Sequence, residues 1–118
     1  MHEFSIVQSL LELIHEQVRM HSAKRVVKVE IVAGVLSGVE PHLLQIAFET
    51  FRQGTPAEDA ELLIEVEKLK IYCRDCEGEF EKDELNALCP RCGGLNTEIR
   101  GGRELLLKSL ELEVDSNP

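Results

Sequence analysis

The amino-terminal part of the chain changes from the hydrophobic period of a helix to that of a strand. From Phe4 to about His21, the apolar positions share one side of a 3.6-residue helix and are Val7, Leu10, Leu11, Ile14 and Val18. Between Val26 and Ala33 the period becomes two, and the predicted apolar face contains Val27, Val29, Ile31 and Ala33. An amphipathic helix followed by a half-buried strand is therefore predicted.

One more helix and two more strands are predicted outside residues 71–100. Pro41 suits the first position of a helix, and the apolar stripe after it ends before Gly54 and contains Leu43, Leu44, Ala47, Phe48 and Phe51. Alternation returns over Leu62, Ile64 and Val66, and again over 105–114, where the predicted apolar face contains Leu106, Leu110, Leu112 and Val114. This order predicts an α+β fold, with two helices packed on a three-stranded mixed sheet.

Composition and charge restrict the partners and the compartment. Among 118 residues, 13 Lys and Arg oppose 22 Asp and Glu, which gives a net charge of -9. Such a charge repels phosphate backbones and anionic lipid surfaces. No apolar run approaches the roughly 20 residues that span a bilayer, and the first four residues lack the basic region of a signal peptide. We therefore expect a cytoplasmic protein that binds neither nucleic acid nor membranes.

Two CxxC pairs provide the strongest chemical motif. Cys73 and Cys76 form the first pair, and Cys89 and Cys92 follow after twelve residues. Pairs with this spacing form two turns whose thiolates converge on a tetrahedral four-sulfur site. Gly93 can adopt positive φ and so allow backbone N–H groups to point at the sulfurs. The motif predicts a zinc-ribbon module inserted between the second and third strands.

Other chemistries fit the same cysteines. Two disulfides, a redox dithiol and a rubredoxin-type iron centre are the alternatives, and a reducing compartment disfavours the first of them. Structural zinc is favoured over iron because the residues between the pairs are mostly charged and offer no dense apolar shell. Residues 71–100 carry seven acidic and four basic side chains, which argues against a zinc-ribbon adaptor for nucleic acid but leaves a protein-interaction adaptor open.

The amino terminus offers a second candidate metal site. The α-amine of Met1, the amide nitrogen of His2 and the His2 imidazole can close adjacent chelate rings, and Glu3 or a more distant donor can take the fourth position. Such nitrogen-rich sites suit Ni(II) or Cu(II), although a solvated polar terminus is the simpler interpretation. The chain shows no Ser/His/Asp signature, phosphate loop or open zinc site, so we do not expect an enzyme.

Taken together, these motifs resemble the hydrogenase nickel-incorporation family HypA/HybF. The resemblance covers residues 1 to about 114. It rests on the initial Met-His-Glu-Phe-Ser, on both CxxC pairs, and on the segments at 36–39, 48–51, 54–55, 60–62 and 104–111, which read LSGV, FETF, GT, AEL and ELLLKSLE. CxxC pairs alone are unspecific, but an initial MHE in a chain of this length makes the combination specific.

The resemblance implies a nickel metallochaperone and not an enzyme. It implies that Met1, His2 and Glu3 bind Ni(II) and that the four cysteines hold structural Zn(II). It also implies a nickel domain formed by 1–70 and 101–114, with a zinc domain inserted at 71–100. Residues 115–118 are expected to form a flexible tail. The implied partners are a nickel-handling GTPase, HypB, the large-subunit precursor of [NiFe]-hydrogenase and, in some bacteria, urease maturation proteins. Either a monomer or a homodimer is compatible with the sequence.

Overall fold

The computed structural model describes residues 2–115, and at His2 it describes the backbone alone. The secondary structure consists of α1 (His2–Met20), β1 (Ala23–Gly34), α2 (Pro41–Phe51), β2 (Glu61–Glu67), β3 (Leu69–Cys73), β4 (Gly78–Lys82), β5 (Thr97–Gly101) and β6 (Leu105–Val114). One three-stranded sheet has the order β2-β1-β6, and a second has the order β4-β3-β5. The predicted α+β class and first sheet are confirmed, whereas the second sheet was not predicted. No helix in the described part of the chain is both long and apolar enough to span a membrane.

Helix α1 buries the stripe that its sequence predicts. Val7, Leu10, Ile14 and Val18 are buried, and Leu11 is half-buried. The helix begins at His2, two residues before the predicted start at Phe4. Its first turn contains Glu3, and an acidic side chain there is favourable because it faces the positive end of the helix dipole.

Helix α2 begins with a clear capping arrangement. Glu40 precedes the helix, and its carboxylate accepts a hydrogen bond from the Leu43 N–H at 2.7 Å. The helix buries Leu44, Ala47 and Phe48. Leu43 and Phe51 were predicted to share this face but are 40% and 38% exposed, because Leu43 lies at the margin of the face and Phe51 is the last residue of the helix. Phe51 instead packs edge-on against Phe4, with 5.3 Å between ring centroids.

The strands of the first sheet depart from strict alternation. In β1, Val26 is buried and Val27 is 38% exposed, which is the reverse of the prediction. The backbone N–H of Val26 donates to Pro56 at 2.9 Å, and the next buried residue, Val29, lies three positions on. This step of three shifts the alternation by one residue, so a prediction that assumes an unbroken period of two assigns the wrong face.

The edge strands show the same kind of departure. In β6, Leu105 and Leu107 are half-buried and Leu106 is 50% exposed, whereas Leu110 and Leu112 are half-buried. The inward face therefore also changes phase between 107 and 110, and Leu106 was assigned to the wrong face. At the strand ends, Val66 in β2 and Val114 in β6 are 49% and 51% exposed. A strand at the edge of a sheet has a neighbour on one side only, which leaves its ends accessible.

The chain divides into two compact units. One comprises the residues up to 31, residues 40–64 and those from 107 onward, and the other comprises 32–39 and 65–106. The divisions fall inside β1, β2 and β6. The second of these units contains all four cysteines and is called the cysteine-containing unit below.

The second sheet lies within the cysteine-containing unit. Strand β3 pairs antiparallel with β4, where Ile71 lies opposite Phe80, and with β5, where Ile71 lies opposite Ile99. Leu69, Ile71, Cys73 and Cys89 form the buried cluster of this unit, with Val35, Cys76, Phe80 and Ile99 packed against it. This apolar shell, which the sequence did not indicate, connects the cysteine turns to β3.

Candidate metal centre

The two cysteine turns bring all four thiols together. Cys73 ends β3 and Cys76 follows in the turn before β4, while Cys89 and Cys92 belong to a second turn before β5. The four Sγ atoms lie within 4.8 Å of one another. Two of the spacings are 3.8 Å, between Cys73 and Cys92, and 3.9 Å, between Cys76 and Cys89. The predicted convergence of the four cysteines is confirmed.

The sulfur spacing fits a tetrahedral metal better than any disulfide. A zinc–sulfur bond of about 2.3 Å in a regular tetrahedron separates neighbouring sulfurs by about 3.8 Å. A disulfide would need sulfurs about 2.05 Å apart, and all four cysteines are free thiols. The disulfide interpretation is therefore wrong for this arrangement. Iron in a rubredoxin-type site has the same donor set, so the geometry identifies a tetrathiolate site rather than the metal.

Backbone N–H groups point at the sulfurs from both turns. Cys73 Sγ accepts from the Cys76 N–H at 3.4 Å, and Cys89 Sγ accepts from Arg91 and Cys92 at 3.4 and 3.5 Å. In the second turn, Gly93 has φ of 74°, as its type allows, and donates to the Cys89 carbonyl at 2.8 Å. In the first turn Glu77 takes the equivalent position, with φ of 53°. These donors stabilise thiolates, the form that binds a metal.

The thiols give up their protons unequally when no metal is bound. Burial raises the pKa of the Cys89 thiol, but the N–H groups of Cys92 and Arg91 outweigh burial and lower it to about 6. Hydrogen bonding to Cys92 raises the pKa of Cys76 to about 12. Cys89 therefore loses its proton more readily than Cys76, from which a metal must displace a proton.

A buried lysine, which sequence reasoning missed, supports the second turn. Lys82 at the end of β4 is only 8% exposed. Its ammonium donates to the Asn86 side chain and, at 2.7 Å, to the Leu88 carbonyl, directly before Cys89. Asn86 also accepts from the Leu88 N–H at 3.0 Å. A lysine in a charged stretch ordinarily faces solvent. The one sequence signal for burial is that Lys82 follows Phe80 by two residues, which places both side chains on the same face of a strand.

The predicted nickel donors lie at the margin of the described residues. Met1 is outside them, and so is the side chain of His2, whose backbone begins α1. The Glu3 side chain is 7% exposed, and its Oε2 accepts from the Glu40 N–H at 3.3 Å. Burial of this carboxylate was not expected, because nothing in a polar tripeptide at the start of a chain indicates it.

Comparison with known proteins places this arrangement in one family. A sequence profile described as hydrogenase/urease nickel incorporation, metallochaperone, hypA matches residues 1–112. A hydrogenase maturation factor HypA from Aquifex aeolicus is 65% identical over 98% of this chain and all of its own length. Another from Shewanella oneidensis is 43% identical, with 96% of each chain covered.

Solved structures agree with the sequence comparison. The solution structure of the Ni metallochaperone HypA from Helicobacter pylori is similar with a TM-score of 0.68 and 34% identity, covering 96% of this chain and 98% of that one. A second solution structure of a HypA protein gives a TM-score of 0.73 and 35% identity, with 98% of each covered. The chain belongs to the HypA family of hydrogenase/urease nickel-incorporation metallochaperones.

Proposed function

We propose that this chain is a nickel carrier that binds Ni(II) at its amino terminus and delivers it to the [NiFe]-hydrogenase large-subunit precursor. The observation that carries the proposal is the family match over residues 1–112, which includes the Met-His-Glu start and both cysteine pairs. A relative of the same family is described as a Ni metallochaperone. Nickel is then the cargo, and zinc is a resident structural ion.

The start of α1 supports a backbone-ligated nickel site. The first four N–H groups of any α-helix lack an intrahelical acceptor, and α1 begins at His2. Nickel can therefore take the amide nitrogens of His2 and Glu3 without breaking a helical hydrogen bond. The positive end of the helix dipole also favours the negative charge of a deprotonated amide. With the Met1 amine and the His2 imidazole, these nitrogens make the near-planar set that Ni(II) prefers.

Four thiolates suit a structural zinc site and not a catalytic one. Catalytic zinc keeps an open position, whereas a four-sulfur set is closed. The unit that contains the cysteines has a small apolar cluster, centred on Leu69 and Ile71. A bound metal would therefore supply much of its folding energy. Carriage of nickel also requires no chemical step, which agrees with a carrier rather than an enzyme.

The proposal extends to the organisation and partners of the chain. We assign nickel binding to residues 1–70 and 101–114, and zinc to 71–100. The proposed setting is the cytoplasm, with the GTPase HypB as the nickel-handling partner and urease maturation proteins as a further route. Within the cysteine-containing unit, the excess of acidic over basic residues in 71–100 suits docking to a basic patch on a partner, which would raise the association rate.

Nickel titration of untagged protein tests the function. The protein that begins at Met1 should bind one nickel, and both His2→Ala and a variant with one residue added before Met1 should lose most of that affinity. Zinc content, measured beside it, should remain one per chain in all three proteins. Equal nickel binding by all three would refute the amino-terminal site, and zinc without nickel would favour an interaction adaptor.

A further inference from the structure

Glu3 is the one acidic side chain that is buried within residues 3–115. Removing a carboxylate from water is unfavourable unless hydrogen bonds replace its hydration. A carboxylate that served only as an accessible metal donor would have no reason to be buried. The groups that contact the Glu3 carboxylate therefore indicate its role.

The Glu3 carboxylate is directed at the beginning of α2. Its Oε2 accepts from the backbone N–H of Glu40, the residue that caps α2, at 3.3 Å. Glu40 in turn uses its own carboxylate for the Leu43 N–H, and Pro41 between them has no N–H. Two carboxylates thus meet the end of α2 where unpaired N–H groups and the positive end of the helix dipole coincide.

This contact connects the first turn of α1 to a residue far along the chain. Consecutive Cα atoms are about 3.8 Å apart, so any residue one or two positions before Glu3 is joined to it by at most about 7.6 Å of chain. Holding Glu3 limits the volume that the preceding donors explore. Donors that are restricted beforehand lose less entropy when they converge on an ion.

We infer that Glu3 is a positioning residue for the amino-terminal nickel site: its side chain ties α1 to α2 through the Glu40 N–H, and its carboxylate is not a nickel ligand. The inference rests on the proposed nickel function. Under that function the amide nitrogen of Glu3 is still a nickel donor, since it lies in the first turn of α1.

Two substitutions at Glu3 distinguish a tether from a ligand. In Glu3→Gln the side-chain carbonyl can still accept from the Glu40 N–H, but the metal-binding carboxylate is gone. In Glu3→Ala both are gone. We expect nickel affinity to stay within about threefold of wild type in Glu3→Gln and to fall about tenfold in Glu3→Ala, which corresponds to loss of one buried hydrogen bond. Affinity is measured by competition with a chromophoric nickel chelator.

Hydrogen exchange supplies a readout that does not involve nickel. The Glu40 amide should exchange faster in Glu3→Ala than in wild type, and Glu3→Gln should restore its protection. Val7→Ala is the matched control, because it removes a buried side chain from the same helix without touching the tether. It should lower thermal stability while nickel affinity and Glu40 protection remain near wild type.

The outcomes separate this inference from the proposed function. Equal losses of nickel affinity in Glu3→Gln and Glu3→Ala would show that the carboxylate is a ligand. Wild-type nickel affinity in Glu3→Ala would show that Glu3 does not position the site. If Val7→Ala lost as much nickel affinity as Glu3→Ala, general instability and not the tether would explain the loss. Wild-type nickel binding by His2→Ala would refute the proposed function and leave the tether untouched. Unchanged exchange of the Glu40 amide in Glu3→Ala would refute the tether itself, whatever the nickel result.

Discussion

Replacing Lys82 by methionine tests whether the buried ammonium holds the second cysteine turn. Lys82→Met keeps a side chain of similar length and removes hydrogen bonds to Asn86 and to the Leu88 carbonyl. Hydrogen bonds from a charged donor contribute about 1.5–3 kcal/mol each. The loss is smaller than the sum of these contributions, because methionine has no ammonium to desolvate. We expect a net destabilisation of about 1–2 kcal/mol.

The expected consequence is faster loss of metal, because the loop between 82 and 88 leads directly into Cys89. A change of about 1.4 kcal/mol corresponds to about tenfold in zinc affinity if the turn must order before it binds. Urea unfolding of the zinc-loaded protein measures stability, and release to a chromophoric chelator measures the metal. Lys68→Met is the control, since Lys68 pairs with Asp83 at 3.4 Å on the exposed surface and should cost less than about 0.5 kcal/mol. Equal behaviour of the two variants would refute the role of Lys82.

Three further predictions concern the cysteine-containing unit. A Cβ at Gly34 would lie 2.2 Å from the Gly102 carbonyl oxygen, so Gly34→Ala should destabilise the protein by about 3 kcal/mol in urea unfolding. At Gly38 an added Cβ would meet open space, but φ is 80°, so Gly38→Ala should lower the free energy of unfolding by about 1 kcal/mol. Equal losses of stability at the two positions would contradict the close approach of Gly34 to Gly102. Cys73→Ser should abolish stoichiometric zinc and the ordered amide signals of 71–100, and retention of both would remove the zinc site. Zinc affinity should fall with decreasing pH, more steeply below about 6 because Cys89 then also binds a proton; an affinity independent of pH would contradict thiolate ligation.

The parts of the fold that the sequence predicts correctly are those with long, uniform periodicity. Helix α1 presents four buried positions over three turns, from Val7 to Val18, and no competing pattern interrupts them. The cysteine site is predictable for a different reason. The spacing of the pairs determines how two turns can share one ion, whatever surrounds them.

The second sheet escapes prediction because its strands carry too few apolar residues. Strands β4 and β5 are five residues long and read GEFEK and TEIRG. Each contributes a single large apolar side chain, Phe80 or Ile99, to the cluster around Ile71. Such segments resemble solvated loops in isolation, and pairing with β3 makes them strands. The phase change in β1 likewise coincides with a tertiary contact that no local pattern contains, the hydrogen bond from the Val26 N–H to the Pro56 carbonyl.

Buried charges are the other feature that sequence reasoning did not recover. Glu3 and Lys82 are the two charged side chains buried within residues 3–115, and each lies beside a proposed metal site. Both belong to stretches where neighbouring acids and bases are exposed, so composition favours the wrong environment. Each is buried because a backbone group becomes available only in the folded chain: the Glu40 N–H for Glu3 and the Leu88 carbonyl for Lys82.

The proposed division between cargo and resident metal follows from how the donors are connected. The four cysteines come from two turns, one of which is also fixed by β3 and the other by Lys82, so zinc leaves only when both turns open. The proposed nickel donors belong to a single short segment at the chain end. They can detach one after another while an acceptor takes their place, so the barrier to transfer is that of the highest single step and not that of breaking every nickel bond at once. A tether at Glu3 fits this requirement, because it restricts the segment without adding a ligand that must be released.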